Sequence, residues 1–334
     1  MMRTAVLRYG LALTALGSAS ACQAAPPLPL RTVVDVPLGV PTSRYDYESL
    51  DPETGLLFIA DLAGSRVLVV DTHTNKLVKA IPNVAHVHGV IAIPAQHRAY
   101  ATATGTDELV TIDEATLEVV ARAPAGHYPD GLAWMPGLNK IYVSDEHGKT
   151  VAVVNAATSK LLKLIPIGGE VGNTQFNPAD GLIYSNDQTN NELVAIDPAK
   201  DAVIGRWKLT GCEGSHGLQL DPARSLAYVA CEDNAKLATF SLREHKLLDV
   251  QSVADGPDVM AADFSLRRLY VAGESGIVSV FDTSEPVPHK IGEAKLADNA
   301  HMVAVDPATH RVYFPLRNVG GKPVLRVMAA TTTR

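Results

Sequence analysis

The sequence predicts an all-β chain: a seven-bladed β-propeller of four-stranded antiparallel blades, closed by an N-terminal strand that completes the last blade. Three observations predict it. An aromatic within a short strand-like segment recurs at Phe58, Tyr100, Tyr142, Tyr184, Tyr228, Tyr270 and Tyr313, in steps of 42, 42, 42, 44, 42 and 43 residues. Each of the first six repeats carries four strand-like segments, and so small a sheet buries both faces only when neighbours stack on it. The composition agrees, because aromatics are 5% of the residues against a hydrophobic fraction of 46%, which suits sheets packed through small branched side chains.

Residues 1–22 have the layout of a secretory signal, with Arg3 and Arg8 ahead of an apolar run from Leu11 to Leu16 and a small-residue end, Ala19-Ser20-Ala21-Cys22. That end serves ordinary cleavage, or a lipoprotein box in which Cys22 is acylated, and both readings stay open. The expected location is periplasmic or otherwise exported, with membrane contact only through that lipid. No later stretch approaches the roughly 20 apolar residues of a transmembrane helix. Without Arg3 and Arg8 the chain has 27 basic and 36 acidic residues, about −9, which disfavours nucleic acid as a partner. A small molecule or a protein is the expected partner, and a monomer the expected state.

A Pro-rich lead over 23–30 opens the mature chain, and the propeller is assigned to 31–334. Thr32–Val36 is a β-branched strand with no hairpin partner nearby. Each repeat then runs through a first strand, a turn such as Asp51-Pro52-Glu53-Thr54, and a second strand such as LLFIAD or LAYVAC. A third strand ends on a turn-capping residue at Asp71, Asp113, Asn155, Asp197 and Asp282, and a fourth closes the unit. The seventh repeat stops after its third strand, at Val324–Met328. The orphan Thr32–Val36 strand is the expected donor of the missing fourth, which would leave no free edge.

One register carries the functional signal. At the start of the first strand the seven repeats place Asp46, His88, Asp130, Gly172, His216, Asp258 and His301. First strands line a propeller's channel, so residues just before them should encircle its mouth. Imidazole and carboxylate are ligands for borderline divalent metals, and His88, His216 and His301 are the predicted metal ligands. Arg44, Asp46, Glu48, Asp130, Asn173, Glu213 and Asp258 are the predicted ligand-binding residues. Tyr45, Tyr47, Tyr128 and Glu170 are further neighbours, and His86 and His127 read as exposed loop residues. The ring is equally a hydrogen-bonded belt lining a wet channel, and Arg44 equally an ion pair with Asp46 or Glu48. Cys212 and Cys231 flank the first hairpin of blade five, either as a disulfide or with a thiolate joining His216 at a metal.

The second-strand motif, the Asp-x-x-Thr/Ala turn and the period together resemble the YVTN-repeat family of seven-bladed propellers, which includes the YncE-like periplasmic proteins. The resemblance spans about 31–334 and implies the fold; propellers host many functions. Two functions follow as expectations. One is an exported binding or scaffold protein holding a ligand or divalent metal at the ring. The other is a metal-assisted enzyme of the lactonase or streptogramin-lyase type, in which a divalent ion polarises a carbonyl. No nucleophile elbow, Walker loop, Rossmann glycine pattern, His-Glu-x-x-His or Cys-x-x-Cys-His is present.

Overall fold

A computed structural model describes residues 26–39 and 41–331; the predicted leader over 1–22, with Cys22, lies outside them. The described chain forms seven four-stranded antiparallel sheets. In blades one to six the four strands follow one another in sequence, as in blade two with Val87–Ile93, Arg98–Ala103, Glu108–Asp113 and Glu118–Pro124. Blade seven joins Ala304–Asp306, Arg311–Val319 and Lys322–Ala330 to Leu30–Pro37.

That last pairing is the predicted closure. Leu30–Pro37 runs antiparallel to Lys322–Ala330, from Leu30 opposite Ala330 to Pro37 opposite Val324, and extends beyond the expected Thr32–Val36 at both ends. Arg326 grips Asp35 through two parallel hydrogen bonds of 2.8 and 2.7 Å, a fork geometry stronger than a single contact. The Pro-rich lead also takes part. Pro26 O accepts from Glu293 N–H at 3.0 Å in blade six, and Pro29 O from Thr331 N–H at 2.9 Å.

Apolar side chains fill the spaces between blades. Phe58, Val67 and Val69 of blade one pack with Val87, Val90, Ala99 and Val110 of blade two, and Tyr228 and Leu237 of blade five with Leu269, Val271 and Phe281 of blade six. All seven second-strand aromatics are buried, each contributing roughly 1.5–3 kcal/mol. A second strand is covered on both faces, which is why Leu226–Cys231 is buried at every position. A fourth strand lies at the rim, and Glu118–Pro124 accordingly mixes exposed and covered residues. The predicted turn caps form: Asp71, Asp113, Asn155, Asp197 and Asp282 each accept a backbone N–H from two or three residues ahead.

Candidate functional site

The predicted ring assembles at one end of the channel, through a device the sequence reading placed slightly differently. Asp46 and His301 precede their first strands, Glu48–Leu50 and Ala304–Asp306. In blades two to six the ring residue is instead the second residue of the first strand. There the pairing register shifts. Val87 pairs Ala103 and Val90 pairs Ala101, so His88 and Gly89 together face Thr102. Asp130-Gly131, Gly172-Asn173, His216-Gly217 and Asp258-Val259 form the same bulge. A bulge re-aims the side chain it carries.

Neighbouring blades pin these bulges. Thr102 Oγ1 accepts Gly89 N–H at 2.7 Å and donates to Asp130 O at 2.9 Å. Ser144 Oγ donates to Gly172 O at 2.7 Å, and Asn186 Nδ2 to His216 O at 2.9 Å. The ring lacks a polar side chain at Gly172 because a Cβ there would lie 2.7 Å from His216 O and 2.9 Å from its Cα.

A second local device orients the ring. Two residues before it the chain passes through the left-handed region, at His86, Tyr128, Gly214, Gly256 and Asn299 with φ of 45, 65, 63, 61 and 61°. His86 O accepts from His88 Nδ1–H at 2.9 Å, and Asn299 O from His301 Nδ1–H at 3.1 Å. A carbonyl only accepts, so in the neutral ring Nε2 of both histidines carries the lone pair. The carbonyls of Tyr128, Gly214 and Gly256 take the backbone N–H of Glu146, Glu232 and Glu274 instead, at 3.1, 2.8 and 2.7 Å. These three glutamates are thereby set beside the ring.

They help to line a chamber of about 160 Å³ that also contains Arg44, Asp46, Tyr47, His88, Tyr128, Asp130, His216 and Asp258. Asp258 lies between two imidazoles: His216 Nε2 is 3.4 Å from Oδ1, and His301 Nε2 is 3.9 Å from Oδ2. Glu274 Oε1 is 4.0 Å from His301 Nε2. One ligand atom from each of Asp258, Glu274 and His301 falls within 4.8 Å of the others. His301 is fully buried, and neither its Nε2 nor Asp258 Oδ1 has a hydrogen-bond partner among the described residues. Separations near 4 Å are too long for hydrogen bonds. They match ligand atoms each about 2.1 Å from one ion, which stand roughly 3–4 Å apart. Asn299 ties two of these groups together, its carbonyl on His301 Nδ1–H and its side-chain amide donating to Glu274 Oε2.

The three predicted metal-binding histidines occupy different environments. His88 Nε2 accepts from Tyr128 Oη at 3.2 Å. The Tyr47 hydroxyl donates to Asn173 Oδ1 at 2.6 Å, so its oxygen receives His216 Nε2–H at 3.2 Å. His301 alone of the three presents an unengaged Nε2. Burial pushes the Asp258 carboxyl well above the usual carboxylate range, with His301 opposing. It also raises Asp130 to about 8, with His216 opposing and the Asp46 charge adding to the rise.

Arg44 pairs with Asp46 at 3.5 Å, as one sequence reading expects, and with Glu274 at 2.8 Å. Burial would lower its pKa, but Asp46, Glu274 and Asp258 outweigh that and keep it charged. Glu48 is not its partner. That residue lines a bore of about 320 Å³ on the other side of Tyr47, which borders both spaces, and Asn173 lines the bore rather than the chamber. Glu213 is exposed, with Glu232 in the chamber instead, and His86 and His127 are exposed as expected. Cys231 stands opposite Ser215, and Cys212 and Cys231 form a disulfide with Cα atoms 5.2 Å apart. No thiolate is therefore left to join a metal there.

Glu146, Glu232 and Glu274 were missed by reading the first-strand register alone. Each stands four residues after a second-strand aromatic, Tyr142, Tyr228 and Tyr270, a periodic signal that could have found them.

No family model matches the chain, and no curated protein does. Among solved structures it is similar to Kuenenia stuttgartiensis hydrazine synthase, with a TM-score of 0.73 at 15% identity, over 86% of this chain and 97% of that one. At that identity the likeness carries the seven-bladed propeller fold alone.

Proposed function

We propose that this chain is an exported binding protein that holds a divalent metal ion at the ring end of its channel, through Asp258, Glu274 and His301. The buried, unengaged Nε2 of His301 carries this reading: its proton is fixed on Nδ1 by Asn299 O, and its lone pair is directed beside two carboxylates. Orientation of a ligating histidine by a backbone carbonyl is the usual outer-shell arrangement of a metal centre. The mixed nitrogen and oxygen donors suit zinc, manganese, cobalt or nickel. Export is supported by the Arg3–Cys22 pattern and by the Cys212–Cys231 disulfide, which fits an oxidising compartment.

A second reading, the metal-assisted hydrolase or lyase, is favoured by one observation. His216 lies between Asp258 and Asp130, 3.4 and 3.9 Å from their oxygens, where a proton-transfer group beside a polarising ion would stand. Calorimetric titration of chelator-treated protein with zinc tests the binding function common to both. One ion per chain is expected, with affinity reduced at least about a hundredfold in His301→Ala, the upper end of outer-shell effects and a minimum for a lost ligand. Equal binding by both proteins would remove the assignment.

A further inference from the structure

We propose that Arg44 and the bound metal exchange at a single oxygen, Glu274 Oε1, and that the guanidinium so released anchors a carboxylate-bearing small molecule in the groove between blades one and two. This rests on the metal reading above. Glu274 Oε2 is held by the Asn299 amide, which leaves Oε1 to face outward. Arg44 Nη2 takes that oxygen at 2.8 Å, and the same oxygen is 4.0 Å from His301 Nε2, across the gap assigned to the ion. A guanidinium and a dication cannot both use it at contact distance without strong repulsion. Entry of the metal therefore releases Arg44 from Glu274.

The groove receives the freed side chain. It has a volume of about 620 Å³, and Arg44, His88 and Tyr128 form part of its wall as well as of the chamber's, so the two spaces adjoin. Arg44 is the only Lys or Arg among its described lining residues. Leu62 and Ala63 supply an apolar wall, and the Tyr128 ring, stacked on His147 at 4.1 Å, an aromatic one. A planar guanidinium beside apolar and aromatic surface selects an organic carboxylate, bound through two parallel N–H···O bonds. While the guanidinium is paired with Asp46 and Glu274, that recognition is blocked. Metal and carboxylate therefore bind cooperatively, each raising the affinity of the other by the same factor.

The test uses the full chain, manganese(II) and benzoate, each followed by calorimetry, with Arg44→Gln and Arg44→Lys variants. Arg44→Gln should bind manganese about tenfold more tightly, the worth of one hydrogen bond between charged groups at a half-exposed site, with Arg44→Lys between it and the parent. In the parent, saturating manganese should tighten benzoate binding at least about fivefold, the low end of coupling between sites. Arg44→Gln should lose that gain. Unchanged or weaker manganese binding by Arg44→Gln overturns the exchange, as does a benzoate affinity indifferent to manganese or a gain that survives in Arg44→Gln. If the parent binds neither manganese nor zinc, the metal reading itself fails; if it binds either ion and Arg44→Gln matches it for that ion, only the exchange fails.

Discussion

Gly217 of blade five and Asp258 of blade six are packed so closely that a Cβ on the glycine would lie 1.9 Å from the Asp258 carbonyl oxygen. The contact is backbone, which cannot swing aside as a side chain can. In Gly217→Ala the first strand of blade six must move, carrying Asp258 with it. The expected cost is about 1–3 kcal/mol of stability, together with weaker metal binding. Chemical denaturation and zinc titration of the same preparation check both effects. Lost stability with unchanged zinc affinity would separate the bulge from the site.

Asn299 should act as a positioning residue. Asn299→Gly keeps the left-handed backbone at φ 61° and the carbonyl that orients His301, while deleting the amide that holds Glu274. Metal affinity is expected to fall about tenfold, the lower end for an outer-shell partner, with the midpoint of thermal unfolding nearly unchanged. A variant that unfolds early yet binds zinc normally would mark Asn299 as a structural residue only.

Asp130 makes stability depend on pH. Its pKa rises from 3.8 in an ordinary setting to about 8 in the folded chain, so between those values the folded state holds a proton that the unfolded state has released. The stabilisation is complete below 3.8 and is lost as pH climbs towards 8. Relative to Asp130→Asn, the parent should therefore lose stability between pH 5 and pH 8. One proton limits the slope to about 1.4 kcal/mol per pH unit, which caps the total difference over that range at about 4 kcal/mol. Denaturant midpoints for the two proteins at pH 5, 6.5 and 8 measure it, and parallel curves would count against a buried protonated Asp130.

Cys212 and Cys231 are 19 residues apart in sequence and are buried within the core between blades four and five. A loop of that size is worth about 3 kcal/mol when cross-linked. The Cys212→Ala/Cys231→Ala double variant should lose about that much, and reductant should destabilise the parent but not the variant. Identical responses to reductant would show that the bond does not form in solution.

The fold was legible because its determinants are periodic. A buried aromatic at one position of every second strand, from Phe58 to Tyr313, reports a covering neighbour on each face, and the unpaired Thr32–Val36 strand reports where the ring closes. The site was legible only in part. The ring register shows in the sequence because each inner strand presents its first residues to the channel. Whether His88, His216 and His301 share one ligand depends on single hydrogen bonds, to Tyr128, Tyr47 and Asn299, which no spacing encodes. Glu48 reads as a mouth residue by proximity to Asp46, yet lies in the bore beyond Tyr47. Glu274 reaches the site by a loop that starts at the other end of a hairpin, held by Gly256 O at 2.7 Å.

The central claim is that Asp258, Glu274 and His301 hold one ion, and anomalous scattering at the zinc edge from zinc-soaked crystals tests it most directly. A single strong peak among Asp258 Oδ, Glu274 Oε1 and His301 Nε2, about 2 Å from each, with Arg44 swung away from Glu274, is the predicted result. Density only at the exposed His86, His127 or His147, or none at all, would contradict it and leave the ring as a hydrogen-bonded lining of the channel.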